Sequence, residues 1–289
     1  MNADLTGNGN VLGVYISGYH ITTLIVNINT GNLLKSSYQR KAINSWGTAN
    51  DIINSCCAVI KTALTVNNTD ISHIGIAMPG PFDYDKGISY IHNNKKHDAL
   101  YGLNVKEMIA ANLNMWVGCI CMLNDAAAFL KGEVFAGAAR GYQSVIGLIL
   151  GTGLGTAKLK DGVAEDANLW DSPFLDSIAE DYLSERWFLK RYYELSGINA
   201  VNVKELSSFY ASSNTVKNVF KEFAVNLANF IANFIKAVQP QIIVLSGDIA
   251  QTSDCFLHAC KTQLSKTGHD IPVCISKLNT DAVLVGAAT

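Results

Sequence analysis

Short apolar runs alternate along the chain with longer stretches in which apolar positions recur every three or four residues. From Gly13, the segment GVYISGYHITTLIVNINTG reads as a strand, a small-residue turn, a second strand and a polar glycine turn. From Gly147, 134 positions later, GLILGTGLGTAKLKDG follows the same plan. A second echo comes in the same order. Residues 73–80 (HIGIAMPG) and 242–249 (IIVLSGDI) are each a short apolar strand ending in a glycine turn. One glycine hairpin is common in any α/β protein, but two ordered echoes predict a duplicated domain.

Helical spacing predicts helices over 105–113, over 126–136 and, long and aromatic-rich, over 177–195. Val216, Val219, Phe220, Phe223, Leu227, Phe230, Ile231, Phe234 and Val238 form one apolar stripe of a further helix. Pro240 stops it, and a β-branched strand follows at 242–245. Strands alternating with helices predict an α/β fold with helices on the sheet faces. No linker-like or low-complexity segment interrupts the chain. The expected boundary is the strand VGCICML at 117–123, which divides the chain into an N-terminal lobe, 1–120, and a larger lobe, 121–276. The small-residue tail 281–288 is expected to form a helix that returns to the first lobe.

Composition narrows the function. Of 289 residues, 49% are apolar and 16% charged, enough for a sizeable core and far from a disordered composition. Lys and Arg number 22 against 24 Asp and Glu, so the balance carries no electrostatic footprint for nucleic acid or an anionic membrane. No apolar run reaches the roughly 18–20 residues of a spanning helix. The opening MNADLTGNGN has no basic or apolar leader region, which leads us to expect a cytoplasmic protein. The seven cysteines are an odd number lying in apolar stretches, and buried free thiols are expected. Neither Cys119-x-Cys121 nor the scattered histidines have metal-ligand spacing, so no metal ligands are assigned.

Three segments could carry chemistry. In Gly151-Thr152-Gly153-Leu154-Gly155 the missing Cβ atoms would let backbone N–H groups approach an anion, with the Thr152 hydroxyl beside them. A strand rather than a helix follows, and no GK[ST] is present, so this is neither a dinucleotide fingerprint nor a P-loop. The same glycines also suit a plain hairpin turn. Asn124-Asp125 ends an apolar strand and opens a helix, where a carboxylate can serve as a proton acceptor or simply as a cap. Gly247, in Ser246-Gly247-Asp248, either admits a flat base or ribose to the backbone or makes a turn.

Taken in order, these segments resemble the ROK family (repressor, open reading frame, kinase) of the actin/hexokinase superfamily. The match runs through the first hairpin at 13–22, MPGPFDYDKG at 78–87 and NDAAAFLKGEVFAGAARG at 124–141. It continues through GTGLGTAKLKDG at 151–162, EDYLS at 180–184 and SGDIA at 246–250, nearly the whole chain. The resemblance implies a duplicated actin-like ATPase (ribonuclease H-like) fold, two lobes around a cleft. It implies an ATP- and Mg2+-dependent kinase acting on a hexose or amino sugar, with homodimers common in the family. Asp125 then takes the role of base, and Asn124, Gly80, Glu133, Asn168 and Asp171 fall on the sugar side. Gly18, Gly151, Thr152, Gly153 and Gly247 fall to the nucleotide.

The chain departs from the family pattern in three places. In the first loop, Tyr15, Ser17, Tyr19 and His20 stand for the family's Asp, Gly, Thr and Lys. The zinc motif C-x-C-G-x-x-G-C is absent, so no structural zinc is expected. The sugar-binding G-E-x-G-H is also absent, with Asn168-Leu169-Trp170-Asp171 at roughly its place. The family's repressors carry an N-terminal helix-turn-helix; with the first strand starting near residue 11, none is expected here, and DNA binding is not expected. Two readings remain: a sugar kinase, and a catalytically silent protein of the same build that binds a sugar or nucleotide.

Overall fold

The computed structural model describes residues 9–66, 70–92 and 96–289. Residues 1–8, most of the opening segment MNADLTGNGN, lie outside the described residues. The chain divides into two compact units, residues 1–137 with 280–289, and residues 138–279.

Unit 1 begins with three antiparallel strands, β1 (Asn10–Ile16), β2 (His20–Asn27) and β3 (Leu33–Ala42). Helix α1 (Ala49–Val66) leads to β4 (His73–Met78), which pairs parallel with β1. A two-stranded excursion, β5 (Phe82–Asp83) and β6 (Ile88–Ser89), precedes helix α2 (Val105–Leu113). Strand β7 (Ile120–Asn124) then joins parallel to β4, and α3 (Asp125–Ala136) starts at once. The sheet order is β3-β2-β1-β4-β7. One face packs on α1 and α2 through Leu12, Val14, Ile16, Ile52, Ile60 and Ile109, all buried.

Unit 2 repeats this plan. β8 (Val145–Leu150), β9 (Leu154–Lys160) and β10 (Val163–Asp166) are antiparallel neighbours. A small hairpin, β11 (Pro173–Phe174) and β12 (Ser177–Ile178), leads into helices α4 (Glu180–Leu183), α5 (Glu185–Ser196), α6 (Val203–Ser208) and α7 (Asn214–Val238). β13 (Ile242–Ser246), α8 (Leu257–Lys266) and β14 (Val273–Ile275) complete it, with β13 parallel to both β8 and β14. The order β10-β9-β8-β13-β14 reproduces that of unit 1 strand for strand. The echoed sequence segments therefore occupy equivalent strands, β1 with β8 and β4 with β13. The α7 stripe supplies much of this core, with Phe220 and Phe223 fully buried against Phe188 and Phe256. Each such ring contributes on the order of 1.5–3 kcal/mol by burial.

Two expectations are corrected. The boundary falls after Gly137 rather than near residue 120, because β7 is the last strand of the first sheet and α3 packs within that unit. The single helix expected over 177–195 is broken. Ser184 is extended (φ −118°, ψ 166°), and the chain restarts as α5. The cysteines also differ from expectation. All seven are free thiols, but only Cys56, Cys57 and Cys260 are buried, and Cys121 is exposed. Among the described residues no helix is long and apolar enough to cross a membrane.

The last helix, α9 (Asp281–Ala288), belongs to unit 1, where it packs against α3, β1 and β4. It does so backbone to backbone. A Cβ at Gly13 would lie 2.0 Å from the Leu284 carbonyl oxygen, and one at Gly75 would lie 1.7 Å from that of Ala287. On the α3 side, Gly132 meets Ala282 and Gly286 meets Ala128 in the same way. Overpacking a tight core costs about 1–3 kcal/mol, and here the obstacle is backbone that no rotamer change relieves. Gly286→Ala, whose Cβ would sit 1.8 Å from the Ala128 oxygen, is expected to lower unfolding stability by at least about 1–3 kcal/mol, read as a fall in urea midpoint.

Candidate active site

In unit 1 the candidate residues gather at the carboxyl ends of three adjacent strands. Tyr15 pairs with Ala77 across β1 and β4, and Met78 pairs with Asn124 across β4 and β7. Open α/β sheets place ligand chemistry at such ends. Asn124 is the N-cap of α3. Its Oδ1 accepts from the N–H groups of Ala126 (2.8 Å) and Ala127 (3.1 Å), two of the helix donors that lack intrahelical partners. Its Nδ2 donates to the Tyr84 hydroxyl at 3.3 Å, and that hydroxyl donates to the Met78 carbonyl at 2.9 Å. Gly80, in a cis Gly80–Pro81 bond, lies beside the same hydroxyl, 3.2 Å from where its Cβ would be.

The cap makes Asp125 the first residue of α3, where the helix dipole favours a negative charge. Both carboxylate oxygens are engaged. Oδ1 accepts from Ala126 N–H (3.0 Å) and Oδ2 from the Tyr15 hydroxyl (3.3 Å). Burial pushes the Tyr15 pKa far above that of an ordinary phenol, and the neighbouring Asp125 charge and the hydrogen bond to it push the same way. Arg40 opposes them. Tyr15 is therefore a neutral donor at physiological pH. The turn that follows, with Gly18, closes on itself. Ser17 Oγ accepts from His20 N–H (3.1 Å), Ser45 Oγ donates to the Gly18 carbonyl (2.7 Å), and the Lys96 side chain lies over Gly18.

Glu133 does not join this group, which corrects the sequence expectation. It is fully buried, with its carboxylate folded over Gly137. Eight residues along α3 separate it from Asp125, about 12 Å of helix rise. Tyr84, which ties Asn124 to β4, is a site residue the sequence reading overlooked. Its only signal was its place in the MPGPFDYDKG segment.

In unit 2 the Gly151–Gly153 turn joins β8 to β9 and closes with Gly151 N–H donating to the Gly153 carbonyl (3.1 Å). A Cβ at Gly151 would meet nothing within 4 Å, and Thr152 is exposed, so one side of the turn is open. The other side is clamped. Glu180 Oε2 accepts from Leu154 N–H (3.1 Å), and Glu185 N–H donates to the Gly151 carbonyl (2.8 Å). Arg186 pairs with the other Glu180 oxygen at 2.6 Å. Gly247 has φ +91° and packs on Leu150, whose carbonyl oxygen would be 2.3 Å from a Cβ there. The ends of β8 and β13 thus bring Gly151, Thr152, Gly153 and Gly247 together.

Asn168 and Asp171 are exposed on the loop after β10. Asn168 Oδ1 accepts from the Trp170 indole (3.2 Å), and the Trp170 carbonyl accepts from Glu180 N–H (2.9 Å), which ties this loop to the clamp. Glu180 was read from sequence only as part of a helix segment. Among the described residues no cluster of three His, Cys, Asp or Glu could hold a metal.

Two α/β units with the same strand order are the layout of the duplicated actin-like ATPase fold. The ROK family model matches residues 11–165 and 178–289, and the chain belongs to the ROK family. It is 27% identical over 206 residues to an N-acetyl-D-glucosamine kinase of Mannheimia succiniciproducens, covering 61% of this chain and 65% of that protein, so the match spans just under two thirds of the relative. It is 21% identical to the xylose repressor of Bacillus subtilis over 97% of this chain and 76% of the repressor. The fold is similar to a ROK family glucokinase from Streptomyces griseus solved with glucose and AMPPNP (TM-score 0.79, 20% identity, 97% and 98% of the two chains).

Two variants test the local readings. Tyr84→Phe is expected to cost about 1–3 kcal/mol in chemical denaturation, from the two hydrogen bonds it loses. Gly151→Ala is expected to leave stability within about 0.5 kcal/mol, because its Cβ enters open space.

Proposed function

We infer that the protein is an ATP-dependent sugar kinase that transfers the γ-phosphoryl group to a hydroxyl of a hexose or amino sugar. The observation that carries this reading is the placement of Asp125 at the carboxyl end of β7, anchored by one oxygen at the start of α3 and stacked in sequence on a capping Asn124. Asp125 accepts the proton as the sugar oxygen bonds to phosphorus and the bond to ADP breaks. Asn124 and Gly80 line the acceptor side, with Tyr84 holding Asn124 in place.

On the nucleotide side, the open face of Gly151 and the exposed Thr152 hydroxyl suit phosphates, while Gly247, whose missing Cβ makes room for the Leu150 backbone, is assigned to the adenosine by the family resemblance alone. Gly153 stands over the Glu180 clamp, which keeps the turn in shape. Gly18 takes a lesser part, because its turn is already closed by Ser17 and Ser45. Magnesium would come with the nucleotide phosphates. A neutral phenol at Tyr15 is no hard anionic ligand, and among the described residues no cluster of acids offers the ion a protein cradle.

That neutral phenol also favours a second reading, a protein that binds sugar or nucleotide without turnover. An ADP-release assay with MgATP over a panel of hexoses and N-acetylhexosamines separates the two. Asp125→Asn is expected to hold sugar affinity within a few-fold while turnover falls by about 10²–10⁴. Turnover within threefold of the parent would reduce Asp125 to a helix residue. Sugar binding with no ADP release from any substrate would establish the second reading.

A further inference from the structure

Tyr15 is a polar residue at the heart of the site with no part in the transfer just described. Its hydroxyl donates to Asp125 Oδ2, while Oδ1 is held by Ala126 N–H. The charged groups that bear on the phenol are Asp125 and, more weakly, Arg40. Each carboxylate oxygen already accepts one hydrogen bond, and a molecule that approaches Oδ2 from the side the phenol occupies competes with it.

We propose that Tyr15 is a specificity-determining residue that restrains Asp125 until a sugar displaces its hydroxyl, so that water in the acceptor position is not activated. The proposal rests on the kinase reading and concerns the same site. Water and a sugar hydroxyl offer Asp125 the same O–H group, so the base alone does not distinguish them. They differ in what else holds them. A sugar is gripped by several groups at once and supplies binding energy to break the Tyr15–Asp125 bond. A water molecule has little beyond its own hydrogen bonds. The reaction suppressed is hydrolysis, in which water oxygen bonds to the γ-phosphorus, the bond to the ADP oxygen breaks and Asp125 receives the water proton. A hydrogen bond to a charged acceptor is worth about a ten- to hundredfold factor, and that sets the size of the expected discrimination.

The test compares ATP hydrolysis without sugar and transfer at saturating sugar in the parent and in Tyr15→Phe, which keeps the ring and removes only the hydroxyl. The restraint predicts that hydrolysis rises about ten- to hundredfold while transfer changes by less than threefold. A merely supporting tyrosine would lower both together, and unchanged hydrolysis would equally overturn the proposal. A second measurement needs no turnover. In protein labelled with [ζ-13C]tyrosine, the Tyr15 resonance, assigned from Tyr15→Phe, should shift in Asp125→Asn and shift again when a binding sugar is added to the parent. No shift in Asp125→Asn would overturn the restraint. Absence of all transfer, with these shifts present, would overturn the kinase reading and leave the restraint standing.

Discussion

The approach of α9 to the first sheet leaves no space for a side chain, and the geometry of the candidate base follows from it. Glycine at positions 13 and 75 lets the helix lie on β1 and β4, and Gly132 and Gly286 let it lie on α3. A helix whose carbonyl oxygens reach the positions Cβ atoms would take can occupy only one place. It therefore holds α3 in a set relation to β4, and α3 carries Asp125 on its first turn. A segment from the far end of the chain thus positions chemistry encoded more than 150 residues earlier.

At Asn124-Asp125, capping sets the geometry on which the proposed catalytic role depends. The asparagine satisfies two N–H groups that the helix cannot satisfy itself, and this makes the next residue the first of the helix. A carboxylate there is stabilised by the helix dipole and points out from the strand end. Tyr84 completes the arrangement from the turn after β5 by linking the Asn124 amide to the Met78 carbonyl of β4. The equivalent strand ends of unit 2 are organised differently, with Asp248 exposed just beyond β13. They are built around Glu180, whose carboxylate accepts from the backbone of the β8–β9 hairpin and is itself paired with Arg186. One duplicated scaffold thus carries a capped strand-end carboxylate in one copy and a glycine-lined turn in the other.

Much of this was legible in the residues alone. The paired hairpins, the α7 stripe ending at Pro240, the helix at 105–113 and the strand-to-helix junction at Asn124-Asp125 are local patterns. Each was readable because period, turn chemistry and capping act over a few residues. The pattern Ile52, Ile53, Cys56, Cys57, Ile60 of α1 was equally local and was passed over.

What the residues alone determined was the paired hairpins, the helices near 105–113, 126–136 and 216–238, the duplication and the candidate base. The tertiary structure decided where the units divide, because strand pairing over long separations assigned β7 and α9 to the first unit. It broke the 177–195 helix at Ser184, because the flanking Glu180 and Glu185 both hydrogen-bond to the Gly151–Gly153 hairpin. It removed Glu133 from the site by burying it. It also joined Tyr15 to Asp125, 110 residues apart in sequence, a contact that exists only because β1, β4 and β7 lie side by side with their carboxyl ends aligned.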